Sequence, residues 1–383
     1  MIRRTILLTT ALTSLLWIAF QSPSVAGPFA AKLTPTEQEA AQSLWERYNT
    51  SGKRALDKAD YDRAKLMFEL ALLEAKKLGE ADLKVAQASN NLAEAHRLCG
   101  EYKEAEQLYK QALALKQKIL GEDDMSVANT INNLAVLYQS TANYQEAERL
   151  YNKALAIQEK ISSGDNLSIA SSLNNLAAFY DQQGRYAEAE SLYKRALSIK
   201  EKLQGPQHRD TASCVSNLGL LYLHQGQFDK AETYYRRALA IRENTQGRDH
   251  PLVAGELANL AELYRKQKRF DKAEPLLKRA MLIYEQKLGI NNLEAAKCML
   301  NLACLYRDEG KLRNSDPMFR RAVGVRERLL GFEHPDTIIA MKEYVSVLRH
   351  LNRDSEAKKL EDKLKSVRPN GEAKEKPNRG KKR

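Results

Sequence analysis

Six asparagines, Asn91, Asn133, Asn175, Asn217, Asn259 and Asn301, stand 42 residues apart, each directly before a leucine. A primary amide offers two donors and one acceptor, so a side chain of this kind can pair with both halves of a peptide bond whatever residue carries it. Other chemistry has no comparable footing. His96, His208, His224, His250, His334 and His350 are scattered without a His-Glu-x-x-His spacing, and the four cysteines form no Cys-x-x-Cys pair, so no metal site is indicated. No glycine-rich phosphate loop, Gly-x-Ser-x-Gly elbow or grouped Ser/His/Asp set stands out. Neither catalysis nor a cofactor is expected.

The elements that hold those amides follow from the same period. Each asparagine is followed by Leu92, Leu134, Leu176, Leu218, Leu260 or Leu302. A small residue comes next, and four positions beyond the leucine stands Tyr138, Tyr180, Tyr222, Tyr264 or Tyr306, with His96 in the first copy. Apolar residues at i and i+4 mark one helix face, and the small residue lets a second helix come close. That second helix reads small, large, small: Ala105, Tyr109 and Ala112 recur as Ala147, Tyr151 and Ala154, and onward to Ala273, Leu277 and Ala280. Gly100, Gly184, Gly226 and Gly310 lie between the helices as left-handed stops. Gly205, Gly247, Gly289 and Gly331 separate the units, with Pro251 and Pro335 where a following helix begins.

Alanine, leucine, glutamate and lysine near heptad spacing would also suit a continuous coiled coil, but a glycine inside the unit breaks it. A lone helical hairpin cannot bury both its apolar faces, so neighbouring hairpins must stack. Six units are expected over residues 80–331, a divergent hairpin at 37–79 on Trp45, Tyr48, Tyr61 and Phe68, and a capping hairpin at 332–366. Residues 367–383, rich in Pro, Gly, Asn and Lys, are expected to be disordered.

Residues 1–26 read as a signal peptide: Arg3 and Arg4, an apolar run from Ile6 to Phe20, then Ser24-Val25-Ala26, with cleavage after Ala26. The expectation is an exported protein, periplasmic or secreted, with no transmembrane span after signal removal; an uncleaved N-terminal anchor is the alternative. The formal charge of +12 falls to +10 without Arg3 and Arg4, and the tail holds seven Lys/Arg against two Glu, so the array itself is only mildly basic. No specific nucleic-acid binding is expected. The tail, which carries Lys374 through Arg383 without interleaved aromatics, leaves room for weak contact with an anionic surface. Cys298 and Cys304 would be separated by about 9 Å along one helix, beyond the roughly 7 Å a disulfide spans. Cys99 and Cys214 fall in units that are not neighbours, so four free thiols are expected.

These residues resemble a known family. The small and large positions of the unit look like the tetratricopeptide repeat. The 42-residue length, the Asn-Asn-Leu-Ala of Asn132 to Ala135 and Asn174 to Ala177, and the Gly-x-x-His-Pro of Gly247 to Pro251 and Gly331 to Pro335 are similar to kinesin light chain repeats. The resemblance covers residues 37 to 366. It implies an all-α, right-handed superhelical solenoid of antiparallel hairpins whose first helices line a concave groove. It further implies that the six asparagines hydrogen-bond the backbone of an extended peptide there. By the same resemblance a second row, Lys116, Gln158, Lys200, Arg242, Tyr284 and Arg326, faces the groove, where its four cations would meet acidic side chains. Against these roles stand two plainer ones: amides that brace neighbouring hairpins, and cations that complement helix C-termini. Gln158 and Tyr284 interrupt the cation row, and Ala258 and Leu300 replace the first asparagine of the doublet, which places a ligand on the middle units.

The function that follows is a scaffold for a protein or peptide partner whose identity the sequence does not reveal. Two other readings are a regulator whose superhelix changes shape on binding peptide and a binder of anionic surfaces through the tail. Four basic pairs, Lys194-Arg195, Arg236-Arg237, Lys278-Arg279 and Arg320-Arg321, mimic a binding ladder. Each follows an acid by four residues (Glu190, Glu232, Glu274 and Asp316), a spacing that supports a helix by about 0.2–0.5 kcal/mol per pair.

Overall fold

The computed structural model describes residues 33–57 and 60–366; the signal-like segment 1–26 and the basic tail 367–383 lie outside the described residues. Sixteen helices, with no strand among the described residues, follow one another as eight hairpins. The first pairs α1 (Pro35–Asp57) with α2 (Tyr61–Leu78). Next come α3 (Leu83–Leu98) with α4 (Tyr102–Leu120), α5 (Met125–Ser140) with α6 (Tyr144–Ile161), and α7 (Leu167–Gln182) with α8 (Tyr186–Gln204). Then follow α9 (Arg209–His224) with α10 (Phe228–Gln246), α11 (Pro251–Lys266) with α12 (Phe270–Leu288), and α13 (Leu293–Asp308) with α14 (Leu312–Leu330). The last hairpin is α15 (Pro335–His350) with α16 (Asp354–Lys365). Helices pack on their sequence neighbours throughout, as a solenoid requires.

Each first helix opens on a side chain that accepts from its own first turn. Asp82, Asp124, Asn166, His208, His250, Asn292 and His334 hold this place 42 residues apart. The three histidines use Nδ1 to accept a backbone N–H at 3.2 Å, so an imidazole here does the work of a carboxylate cap. The first helices from α3 to α15 close in Schellman turns: the N–H of Arg185, for example, reaches back to the carbonyl of Tyr180 at 2.9 Å, with Gly184 at φ 74 between them.

Inside each of the six central units the large residue of the second helix, Tyr109, Tyr151, Tyr193, Tyr235, Leu277 or Phe319, is enclosed. The small residue after the leucine makes the space: a Cβ added at Gly219 would stand 2.8 Å from the ring of Tyr235. Units are joined by a repeated polar clamp, in which the hydroxyls of Tyr138, Tyr180, Tyr222, Tyr264 and Tyr306 donate to Glu106, Glu148, Glu190, Glu232 and Glu274 of the preceding second helix at 2.7–3.1 Å.

Curvature comes from unequal spacing of the two helix layers. First helices of successive units touch, α3 with α5 and on through α11 with α13, while second helices of successive units approach less closely. The first-helix layer therefore forms the inside of the bend. The bend carries the chain back upon itself: the turn after α3 meets the start of α15, where a Cβ on Gly100 would lie 3.1 Å from the His334 ring.

Candidate functional site

All six asparagines sit on first helices, from α3 to α13, and all are half-buried. Their amides run across the unit boundaries. Asn91 donates to Oδ1 of Asn49 at 2.7 Å, Asn133 to Oδ1 of Asn90 at 3.2 Å, and Asn217 to Oδ1 of Asn174 at 2.8 Å. Asn259 donates to the Ser216 hydroxyl at 3.2 Å and to Glu256 at 3.3 Å. The acceptor is the residue before the asparagine of the preceding unit, or Asn49 of the first hairpin. In these four only one edge of the amide is used, which leaves further donor and acceptor capacity. Asn175 and Asn301 have no side-chain hydrogen bond among the described residues. Facing Asn175, the Oδ1 of Asn132 is buried without a partner. Facing Asn301 is Ala258, which has no acceptor to offer.

The cation row lies at the seam between each second helix and the next first helix. The Lys116 ammonium donates to the Thr130 hydroxyl at 2.8 Å and to the carbonyl of Ser126. Lys200 and Arg326 reach the equivalent carbonyls of Asp210 and Asp336. Gln158 substitutes with bonds to Asn129 and Ser168. Burial without a carboxylate contact pulls the Lys116 ammonium down to about 8, only partly opposed by the charge of Asp124. Burial also lowers Arg326. Arg242 differs: it is buried against Glu256 at 2.8 Å and also reaches the Ser213 hydroxyl. Glu256, which no repeat spacing had singled out, accepts from Ser216 as well at 2.7 Å.

The basic pairs are engaged structurally. Lys194, Arg236, Lys278 and Arg320 each pair with the acid four residues earlier, at 2.6–2.9 Å. Arg195, Arg237 and Arg279 reach back to Glu159, Glu201 and Glu243 on the preceding second helix. These side chains knit the outer layer together.

Between α11 and α13 the inner wall opens into a cleft of about 150 Å³ lined by Gly255, Ala258, Tyr284, Glu294, Lys297 and Asn301, with the Arg242–Glu256 pair at one end. The sequence marked Ala258 and Tyr284 as departures from the rows without revealing that they adjoin.

A neighbouring ionisable contact spans α7 and α9, where Asp181, itself buried, holds His224 at 2.9 Å and raises its pKa. All four cysteines are free, and burial pushes Cys298 up to about 12 and Cys304 up to about 11. Among the described residues no group of His, Cys, Asp and Glu could hold a metal ion, and no helix is long and apolar enough to cross a membrane.

A tetratricopeptide repeat model matches residues 84–160, 168–244, 213–254 and 252–327, and a second such model matches 49–118 and 132–203. No curated protein matches the chain. Among solved structures it is similar to the apo form of RapI, with 16% identity and a TM-score of 0.55 over 74% of this chain and 98% of that one. It is also similar to a Rap protein complexed with competence and sporulation factor, with 14% identity and a TM-score of 0.54 over 86% of this chain and 98% of that one. A putative kinesin light chain of nearly identical repeats from Podosopora anserina is 25% identical, with a TM-score of 0.45 over 54% of this chain and 97% of that one.

Proposed function

Because this chain belongs to the tetratricopeptide repeat family, we propose that it is a scaffold whose concave wall holds an extended segment of a partner protein. The observation that carries this reading is the amide row. One half-buried asparagine per unit recurs along the first helices that form the inside of the bend, with hydrogen-bonding capacity left over whether or not it braces its neighbour. An extended backbone exposes donors and acceptors at regular intervals, so a line of amides suits it irrespective of side chains. The structural neighbour crystallised with competence and sporulation factor lends support at the level of fold.

Acidic side chains of such a segment would meet Lys116 and Lys200, which have no carboxylate of their own, rather than Arg242, which Glu256 already neutralises. The scaffold is exported under this proposal, and residues 1–26 are removed. N-terminal sequencing of the protein recovered from outside the cytoplasm should begin at Gly27, whereas a start at Met1 rejects cleavage.

Random linear peptides displayed on phage and selected on the purified protein supply a ligand for the groove test. Asn133→Ala combined with Asn175→Ala should weaken the selected peptides by about tenfold or more, or at least 1.4 kcal/mol, with helical content unchanged by circular dichroism. Unaltered affinity in calorimetry rejects the groove assignment.

A further inference from the structure

We propose that the cleft between α11 and α13 is the groove's anchoring subsite, and that it takes one neutral, hydrogen-bonding side chain no larger than a phenol ring. This rests on the groove reading above and adds the residue class at one point of it. At three of the four earlier boundaries from α3 onward the inner wall is bridged by the protein's own side chains, where Asn133 meets Asn90, Asn217 meets Asn174 and Asn259 meets Ser216. At the α11/α13 boundary three registers change at once. Ala258 replaces the acceptor, Gly255 stands where other units carry Gln87, Asn129, Ser171 or Ser213, and Tyr284 stands in the cation row.

Those changes leave polar groups without partners. Tyr284 is only 4% exposed, yet its hydroxyl has no hydrogen bond among the described residues, and the nearest intrusion a Cβ on Gly255 would make is at 3.6 Å from that oxygen. The Asn301 amide has no acceptor opposite it. The hydroxyl faces the cleft, so a ligand that reaches it makes a bond the fold does not make. The size is that of a cavity able to hold benzene, about 150 Å³. The charge is settled by neighbours: Arg242 and Glu256 are closed on each other at 2.8 Å, and Glu294 and Lys297, of opposite sign, flank the mouth on α13. A charged side chain entering here would lose water while meeting Glu294 and Lys297 together, so the attraction of one is offset by the repulsion of the other. Tyrosine, glutamine and asparagine meet all three conditions.

The test restores the repeat. Ala258→Asn gives Asn301 the acceptor that Asn174 gives Asn217, fills the cleft and should leave the fold intact. Gly255→Ser, which borrows the residue of α7 and α9, fills it from one turn earlier on the same helix and guards against misfolding of the first variant. Random linear peptides selected on the wild-type protein should share one position enriched in Tyr, Gln or Asn, and both variants should weaken them by about tenfold or more. Enrichment of Asp or Glu at the position that these variants affect, or unchanged affinity in both, overturns the proposal. If Asn133→Ala with Asn175→Ala weakens the peptides but the cleft variants do not, the subsite alone is wrong. If no variant weakens them, the groove reading falls with it.

Discussion

The Asn217 amide donates to Oδ1 of Asn174 across the boundary between α7 and α9 at 2.8 Å, whereas Asn175, one unit earlier, has no such bond and leaves the Asn132 oxygen buried and unpaired. Two residues of one repeat row thus carry different structural loads. Asn217→Ala should cost about 1 kcal/mol, the usual net value of a hydrogen bond, and leaves Asn174 Oδ1 with only the weak thiol donor of Cys214 at 3.8 Å. Asn175→Ala should change stability by far less. Urea denaturation of the two variants compares them directly, and equal losses would show that the amide row braces the solenoid uniformly.

Arg242 and Glu256 form the one ion pair of this seam, and both side chains are buried. Removing a single partner strands a charge, so Glu256→Ala should destabilise by about 3 kcal/mol or more. The pair Arg242→Gln and Glu256→Ser borrows the side chains of Gln158 and Ser172 from the α6/α7 boundary, where the fold uses no charge. This double variant should recover most of the loss in chemical denaturation, and failure to do so would mean that the pair, rather than its neutrality, holds the seam.

Lys116 should make stability depend on pH. In the unfolded chain its ammonium keeps its proton to about 10.4, but in the fold burial brings that down to about 8. Between these values the unfolded state binds more protons, so stability rises with pH, and the full penalty applies below about 8. Lys116→Gln, the residue of the next unit, should therefore stabilise the protein near pH 7.5, and its advantage should fade toward pH 10. Denaturation midpoints of both proteins across that range check the sign, and a constant difference between them would rule out the buried, carboxylate-free ammonium as its source. An acidic peptide bound beside Lys116 should raise the ammonium again, which NMR titration would detect.

Hairpins, period and stacking were legible because they depend on bulky and small residues that recur at fixed places, such as Leu176, Ala177 and Tyr180. The cap row was not legible, although His250 and His334 stand in the Gly-x-x-His-Pro junctions, because Asp124, Asn166 and His208 meet one geometric need with different chemistry. The amide row could be read, but its acceptors could not, since a bond between positions 43 residues apart depends on how much neighbouring units rotate. Glu256 was hidden for the opposite reason. It breaks its column of Ala88, Thr130, Ser172, Cys214 and Cys298, and only the packing shows that the break answers Arg242. The cleft is likewise a sum of departures, each unremarkable alone.

Glycine marks the left-handed residue between helices at Gly100, Gly184, Gly226 and Gly310, but three units reach that conformation without it: Ala142 at φ 59, Lys268 at φ 60 and Asn352 at φ 59. The Schellman bonds around them are intact, with Asn143 bonded to Tyr138 at 2.9 Å and Arg269 to Tyr264 at 2.8 Å, so packing imposes the geometry on the residue present. A Cβ in the left-handed region costs about 1–2 kcal/mol. Glycine's greater freedom in the unfolded chain offsets roughly 0.4–1 kcal/mol of what substitution would gain. Ala142→Gly and Lys268→Gly should therefore each stabilise the protein by about 0.5–1 kcal/mol. Asn352→Gly should gain less, because asparagine visits this region more readily than other side chains. Urea midpoints of the three variants should rank in that order. A loss of stability at both Ala142 and Lys268 would mean that the turns relax away from the left-handed geometry in solution.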